Sequence, residues 1–196
     1  MPQINELLVE QLQDLLHAEG QLTAALPKMA EAANHPKLKE AFQTHLAQTE
    51  VHVERLRKVF ELLGEKAEPK PCKAMMGLIE EGKETIDTAK EKGTLAADLS
   101  LIAAAQRVEH YEIASYGTVR GLARQIGEIE CAKLLSHTLG EEQSADFLLT
   151  AISDPLIQQA WIEDNGNHVV LEKGDKRGPE RLKKADKLEK AASRAR

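Results

Sequence analysis

The stretch Leu99–Ile126, LSLIAAAQRVEHYEIASYGTVRGLARQI, most constrains what this chain can fold into. Apolar or small residues recur at Leu99, Ile102, Ala105, Ile113, Tyr116, Val119, Ala123 and Ile126. That three/four spacing is the signature of an amphipathic helix. Glu109 and Glu112 fall on the same buried stripe, one turn apart. A carboxylate in a core costs several kcal/mol unless something positive meets it. Arg107 points away by helical geometry, so the rest of the chain has to supply the neutralising charge.

Other segments repeat the helical pattern. Residues 4–33 carry Leu8, Leu12, Leu15, Leu22, Leu26, Met29 and Ala33, with Glu19 where a core residue is due. Pro27 is expected to kink or loosen one turn of this helix. A second helix is expected from Pro36 to Leu63 on a stripe of Leu38, Phe42, Leu46, Val53, Leu56, Phe60 and Leu63, with Glu50 at its border and Gly64 closing it. Residues 65–97 read as a long crossover with a weakly periodic helical piece between Cys72 and Lys92. After the opening stretch, a helix from Glu128 to Ile152 places Glu142 on its stripe. Ser153-Asp154-Pro155 then reads as the start of a short further helix, Pro155 to Glu163.

Strict apolar/polar alternation is missing, and aromatics are only 3% of the chain. A core of Leu, Ile, Val and Ala suits packed helices. The expected fold is therefore all-α: a four-helix bundle with one long crossover, plus a short C-terminal helix. Residues 1–163 form the bundle and residues 164–196 a polar tail, basic from Glu172 on, where ten Lys and Arg face five Asp and Glu. The first 171 residues then carry −11 of the overall −6. An acidic body argues against nucleic-acid binding. No membrane span or secretory signal is visible, and two cysteines allow one disulfide at most, which points to the cytoplasm.

Depth along the helices ties the carboxylates together. Glu19 and Glu50 lie about equally far from the turn between the first two helices, and Glu112 and Glu142 about equally far from the turn at Gly127. Glu19, Glu50, Glu109, Glu112 and Glu142 thus share one layer, and two divalent ions would offset most of their charge. His52 borders the stripe and is the best nitrogen ligand. His45 and His137 precede Glu50 and Glu142 by five residues, so neither shares a face with the Glu after it, and both read as ordinary helix histidines. Glu54 and Asp146 read as outer or surface residues. The parallel order His17-Ala18-Glu19 and His110-Tyr111-Glu112, with His45–Glu50 and His137–Glu142, reads as a duplicated helix pair.

At these residues the chain resembles the YciF/YciE-like branch of the ferritin-like superfamily, a family of bacterial stress-associated proteins. The similar segments are LLHAEGQLTAALPKMA, AFQTHLAQTE, AMMGLIEEGKETI, LIAAAQRVEHYEIASYG and the helix bearing TLGEEQSAD, together covering residues 5–152. The resemblance implies a ferritin-like bundle, a cytoplasmic homodimer and a di-iron or di-manganese site. Glu109-x-x-Glu112 looks like the carboxylate pair on the third helix of rubrerythrins. The Glu-x-x-His of ferritins and rubrerythrins is absent, because Val53 and Ala145 stand three residues after Glu50 and Glu142. A site of carboxylates alone suits Fe, Mn or Mg better than Zn or Cu. The leading reading is a metal-binding stress protein with two Fe or Mn ions; no catalytic residue is assigned. The alternative is a helical dimer that acts by binding other proteins and keeps a vestigial site.

Overall fold

The structure, a computed structural model, describes residues 3–89 and 91–165. The basic tail expected beyond residue 165 lies outside them. Five helices follow one another: α1 Gln3–Ala32, α2 Pro36–Leu63, α3 Lys73–Ala89, α4 Thr94–Gln125 and α5 Ile129–Asn165. The compact unit Met1–Ala160 holds the bundle and everything discussed below. Of the second unit, Trp161–Arg196, the described part is the end of α5. No helix among the described residues is long and apolar enough to cross a membrane.

The ends of α2 and α4 are built alike. Gly64 has φ 70° and Gly127 has φ 88°, backbone that side chains other than Gly rarely adopt. At the first, the Gly64 N–H donates to Glu61 O (3.1 Å) and the Glu65 N–H to Phe60 O (3.0 Å). At the second, the Gly127 N–H donates to Arg124 O (3.2 Å) and the Glu128 N–H to Ala123 O (2.9 Å). Both are paired 5→2 and 6→1 bonds, which satisfy carbonyls that the helix leaves open. The α1–α2 turn is held from elsewhere. Buried Asp98, early in α4, accepts the backbone N–H groups of Asn34 and His35, each at 2.8 Å.

The crossover is pinned to the bundle at residues 70–72. The Lys70 N–H donates to Gln13 O at 3.0 Å, and the Cys72 N–H donates to His17 Nδ1 at 3.1 Å. Gln21 Nε2 donates to the same His17 nitrogen at 2.7 Å, so His17 carries its proton on Nε2. Tyr111 donates to Asp14 and accepts from the Cys72 thiol at 3.0 Å. α3 then packs against α1 and α4.

Both prolines inside helices are accommodated. α1 continues through exposed Pro27. α5 also runs unbroken through Pro155, where the sequence suggests a separate helix. Buried Leu149, Ile152 and Leu156 keep the three/four spacing across the proline, so packing holds the chain helical where local preference would break it. The core falls into two apolar clusters. One gathers Leu22, Leu26, Phe42, Leu101 and Leu149; the other gathers Leu8, Leu12, Leu56, Tyr116 and Leu135. Between them lies a polar layer.

Candidate metal centre

Four helices supply this layer. α1 brings Glu19; α2 brings His45, Thr49 and His52; α4 brings Glu109 and Glu112; α5 brings Thr138 and Glu142. All eight are buried. Among the described residues two groups have donor atoms close enough to share an ion: His45, Glu109, Glu112 and Glu142, and Glu19, His52 and Glu142. In each group the donor atoms lie within 4.8 Å of one another, and Glu142 belongs to both.

The individual contacts are close but incomplete. His45 Nε2 is 3.4 Å from Glu109 Oε1 and 3.4 Å from Glu142 Oε2. His52 Nδ1 is 2.9 Å from Glu142 Oε1, off the line of a hydrogen bond, and 3.4 Å from Glu19 Oε1. Tyr116 donates its hydroxyl to Glu19 Oε1. The remaining atoms have no hydrogen-bond partner: Glu19 Oε2, Glu109 Oε2, both oxygens of Glu112, both of Glu142, and His52 Nδ1. Such orphans are rare in protein interiors, and converging donor atoms of this chemistry fit a bound cation.

The other edge of His52 is fully engaged. Its Nε2–H donates to Glu141 Oε2 at 3.0 Å. Glu141 is itself held by Arg55, whose Nη1 donates to it at 2.7 Å and to Thr138 Oγ1 at 2.6 Å. A carboxylate on one ring nitrogen orients the ring and turns the other nitrogen toward the layer, the usual support of a metal-ligating histidine.

Protonation reflects the crowding. Burial, reinforced by the charge of Glu142, drives the Glu109 carboxyl well above the usual carboxylate range. Burial and the charges of Glu19 and Glu142 do the same to Glu112. Burial also raises Glu19, against the pull of His52. Burial lowers His45. For His52 burial pulls the pKa down, yet Glu142 and Glu19 outweigh it and leave the ring at about 10. Partial burial raises Glu141, but Arg55 overcomes it and holds this carboxyl below its ordinary value.

Four of the five carboxylates expected from the sequence meet here: Glu19, Glu109, Glu112 and Glu142. Glu50 does not; it is exposed. The centre of the α2 stripe runs through His45, Thr49 and His52, and one residue further turns a side chain by 100°. His52, the candidate nitrogen ligand of the sequence, faces the layer, and so does His45, which the sequence reads as an ordinary helix histidine. Two imidazoles thus stand beside the carboxylates where the motif comparison leads one to expect carboxylates alone. His137 and His110 are exposed, so the histidine half of the apparent duplication does not extend to the geometry. Glu54 is exposed and paired to Arg57, and Asp146 is half-buried and accepts from Gln106 at 3.0 Å.

Two openings reach the layer. A cleft of about 120 Å³ between α2 and α5 has polar Thr44, Gln48 and Ser144 in its lining and also touches His45 and Glu109. A larger apolar cavity of about 290 Å³ touches the same pair from the α1, α3 and α4 side.

Comparison with known proteins places the chain. A family model described as a domain of unknown function, DUF892, matches residues 3–161. The chain belongs to the DUF892 family. Protein YciF of Escherichia coli K12 is 45% identical over 154 residues, which span 78% of this chain and 92% of that protein. The crystal structure described as the E. coli stress protein YciF superposes with a TM-score of 0.77 at 43% identity, covering 81% of this chain and 99% of that one. YcfI from Rhodopseudomonas palustris gives 0.72 at 39% identity, over 76% of this chain and 94% of that one. A Xanthomonas campestris protein at 23% identity gives 0.64 over 83% of this chain and 99% of that one, and shows that this DUF892 fold persists at low identity.

Proposed function

We propose that this DUF892 protein binds two divalent ions, iron or manganese, in the polar layer. His45, Glu109, Glu112 and Glu142 would hold one, and Glu19, His52 and Glu142 the other. One observation carries the reading: seven buried donor atoms of these residues lack hydrogen-bond partners and converge from four helices. The donor inventory supports it. Dinuclear bundle sites draw on four Glu and two His, with each His three residues after a Glu. Here four Glu and two His gather as well, but both histidines come from α2. Four carboxylates carry −4, which two divalent ions balance. Mixed oxygen and imidazole donors suit Fe and Mn.

When bound, such ions supply redox chemistry toward dioxygen or peroxide. The chain's own residues set the conditions for it. Apolar clusters flank the layer, Tyr116 holds Glu19, and Glu141 with Arg55 orients His52. The E. coli relative is described as a stress protein, and we extend that role to this chain. Two buried free cysteines agree with a reducing compartment, the cytoplasm. The homodimer implied by the family resemblance fits the exposed apolar side chains Val51 on α2 and Phe147 and Leu148 on α5.

The test is the metal content of tag-free protein by mass spectrometry, beside a Glu109→Gln/Glu112→Gln variant. About two iron or manganese per chain in the wild type, with loss in the variant, is expected. Full metal content in the variant would sink the assignment.

A further inference from the structure

Apart from His45 and Glu109, none of the residues lining the apolar cavity of about 290 Å³ belongs to the polar layer. At about 30 Å³ per water-sized group the cavity has room for roughly ten heavy atoms. Its walls are Leu22, Leu26 and Met29 of α1 facing Leu78, Ile79 and Ile86 of α3. The space arises from small residues: Ala104 and Ala105 of α4, and Gly82 of α3. Gly82 is buried, yet a Cβ built on it meets nothing within 4 Å, so the volume beside it is the cavity itself.

The two ends differ. Phe42, His45 and Glu109 are buried and close the inner end. Lys28 and Lys83 are exposed and stand at the mouth. Lys28 has no carboxylate partner among the described residues, and Lys83 has only Glu80 at 3.1 Å, an exposed pair one turn away that is easily exchanged. The cavity thus joins two exposed lysines at its mouth to an apolar barrel. We propose that it binds an aliphatic monocarboxylate of about ten heavy atoms. Its carboxylate sits at Lys28 and Lys83 and its chain runs inward toward Phe42, His45 and Glu109. The reverse orientation would bury the ligand's charge at the end away from both lysines.

Binding of this kind stands whether or not ions occupy the polar layer, so it is measured on full-length, metal-free protein by calorimetry with decanoate. One molecule per chain is expected. Gly82→Leu puts a four-carbon side chain into the cavity and replaces the poorest non-proline helix former with a good one. It should therefore melt no lower than the wild type while binding decanoate at least about tenfold more weakly. Decanol, which keeps the tail and loses the charge, should bind at least about threefold more weakly than decanoate. Lys28→Gln/Lys83→Gln should abolish that preference. The proposal is overturned if decanoate does not bind at millimolar concentration, if the Gly82→Leu protein binds it as well as the wild type, or if decanol binds as tightly as decanoate.

Discussion

Glu112→Met should stabilise the metal-free protein and remove its response to metal. Glu112 is fully buried and neither of its oxygens has a hydrogen-bond partner. Leaving a buried polar group unsatisfied costs about 1–3 kcal/mol. Two such atoms bring the total to about 2 kcal/mol at the cautious end of the range. Met is unbranched and similar in size, so it fills the same space without the polar atoms. In a chain of 196 residues, each kcal/mol shifts the midpoint by about 2–4 °C. The chelated variant should then melt about 4–8 °C above the chelated wild type. Ions bound only by the folded state act in the opposite sense. At a thousandfold excess over Kd they add about 4 kcal/mol, or about 8–16 °C, to the wild type and nothing comparable to the variant. The assay is thermal melting followed by circular dichroism, with chelator and then with Mn(II). A chelated variant that melts below the wild type, or a variant that gains as much from Mn(II), would refute the reasoning.

Three further outcomes follow from the same layer. Glu141→Gln should weaken ion binding by about 10–100-fold without removing a ligand, because it loosens the ring of His52; competition with a metallochromic chelator measures it, and unchanged affinity contradicts the positioning role. Glu50→Gln should leave metal content and melting point unchanged, since Glu50 is exposed and outside both donor groups; loss of metal would restore the register expected from the sequence. Stability of the chelated protein should fall between pH 7 and 9. Glu109 and Glu112 have folded pKa values raised above the unfolded ones, so their contribution is present at low pH and lost as pH rises. His52, facing Glu19, Glu142, Glu141 and His45, is raised to about 10 and loses its contribution between its unfolded value of 6.5 and that point. His45 is lowered, which acts only below 6.5. His52 alone makes the slope about 1.4 kcal/mol per pH unit, so urea unfolding that shows flat or rising stability would contradict these shifts.

Much of this architecture is legible in the sequence because apolar spacing and helix ends are local signals. Leu8 to Met29 mark the buried face of α1, and Gly64 and Gly127 mark the two turns. Counting residues from those turns brings Glu19, Glu112 and Glu142 to one level, which holds in the structure. The register of α2 was harder to read, since its buried stripe is polar where it meets the site. Leu46 and Val53 are only partly buried, yet they draw the eye because they are apolar. The true line is Leu38, Phe42, His45, Thr49, His52, Leu56 and Val59, an unbroken alternation of four and three. A pattern that admits His and Thr as core members would have found it. Pro155 misled for a related reason: local helix preference stops there, but Leu149, Ile152 and Leu156 keep one buried face across it. Glu141 gave no signal of its own, because its role depends on Arg55 from another helix.

Anomalous X-ray scattering from crystals loaded anaerobically with Mn(II) tests the central claim most directly. Two peaks are expected in the polar layer, one among His45, Glu109, Glu112 and Glu142 and one among Glu19, His52 and Glu142, with Glu142 beside both. A layer without anomalous density after loading, its carboxylates paired through protons instead, would contradict it.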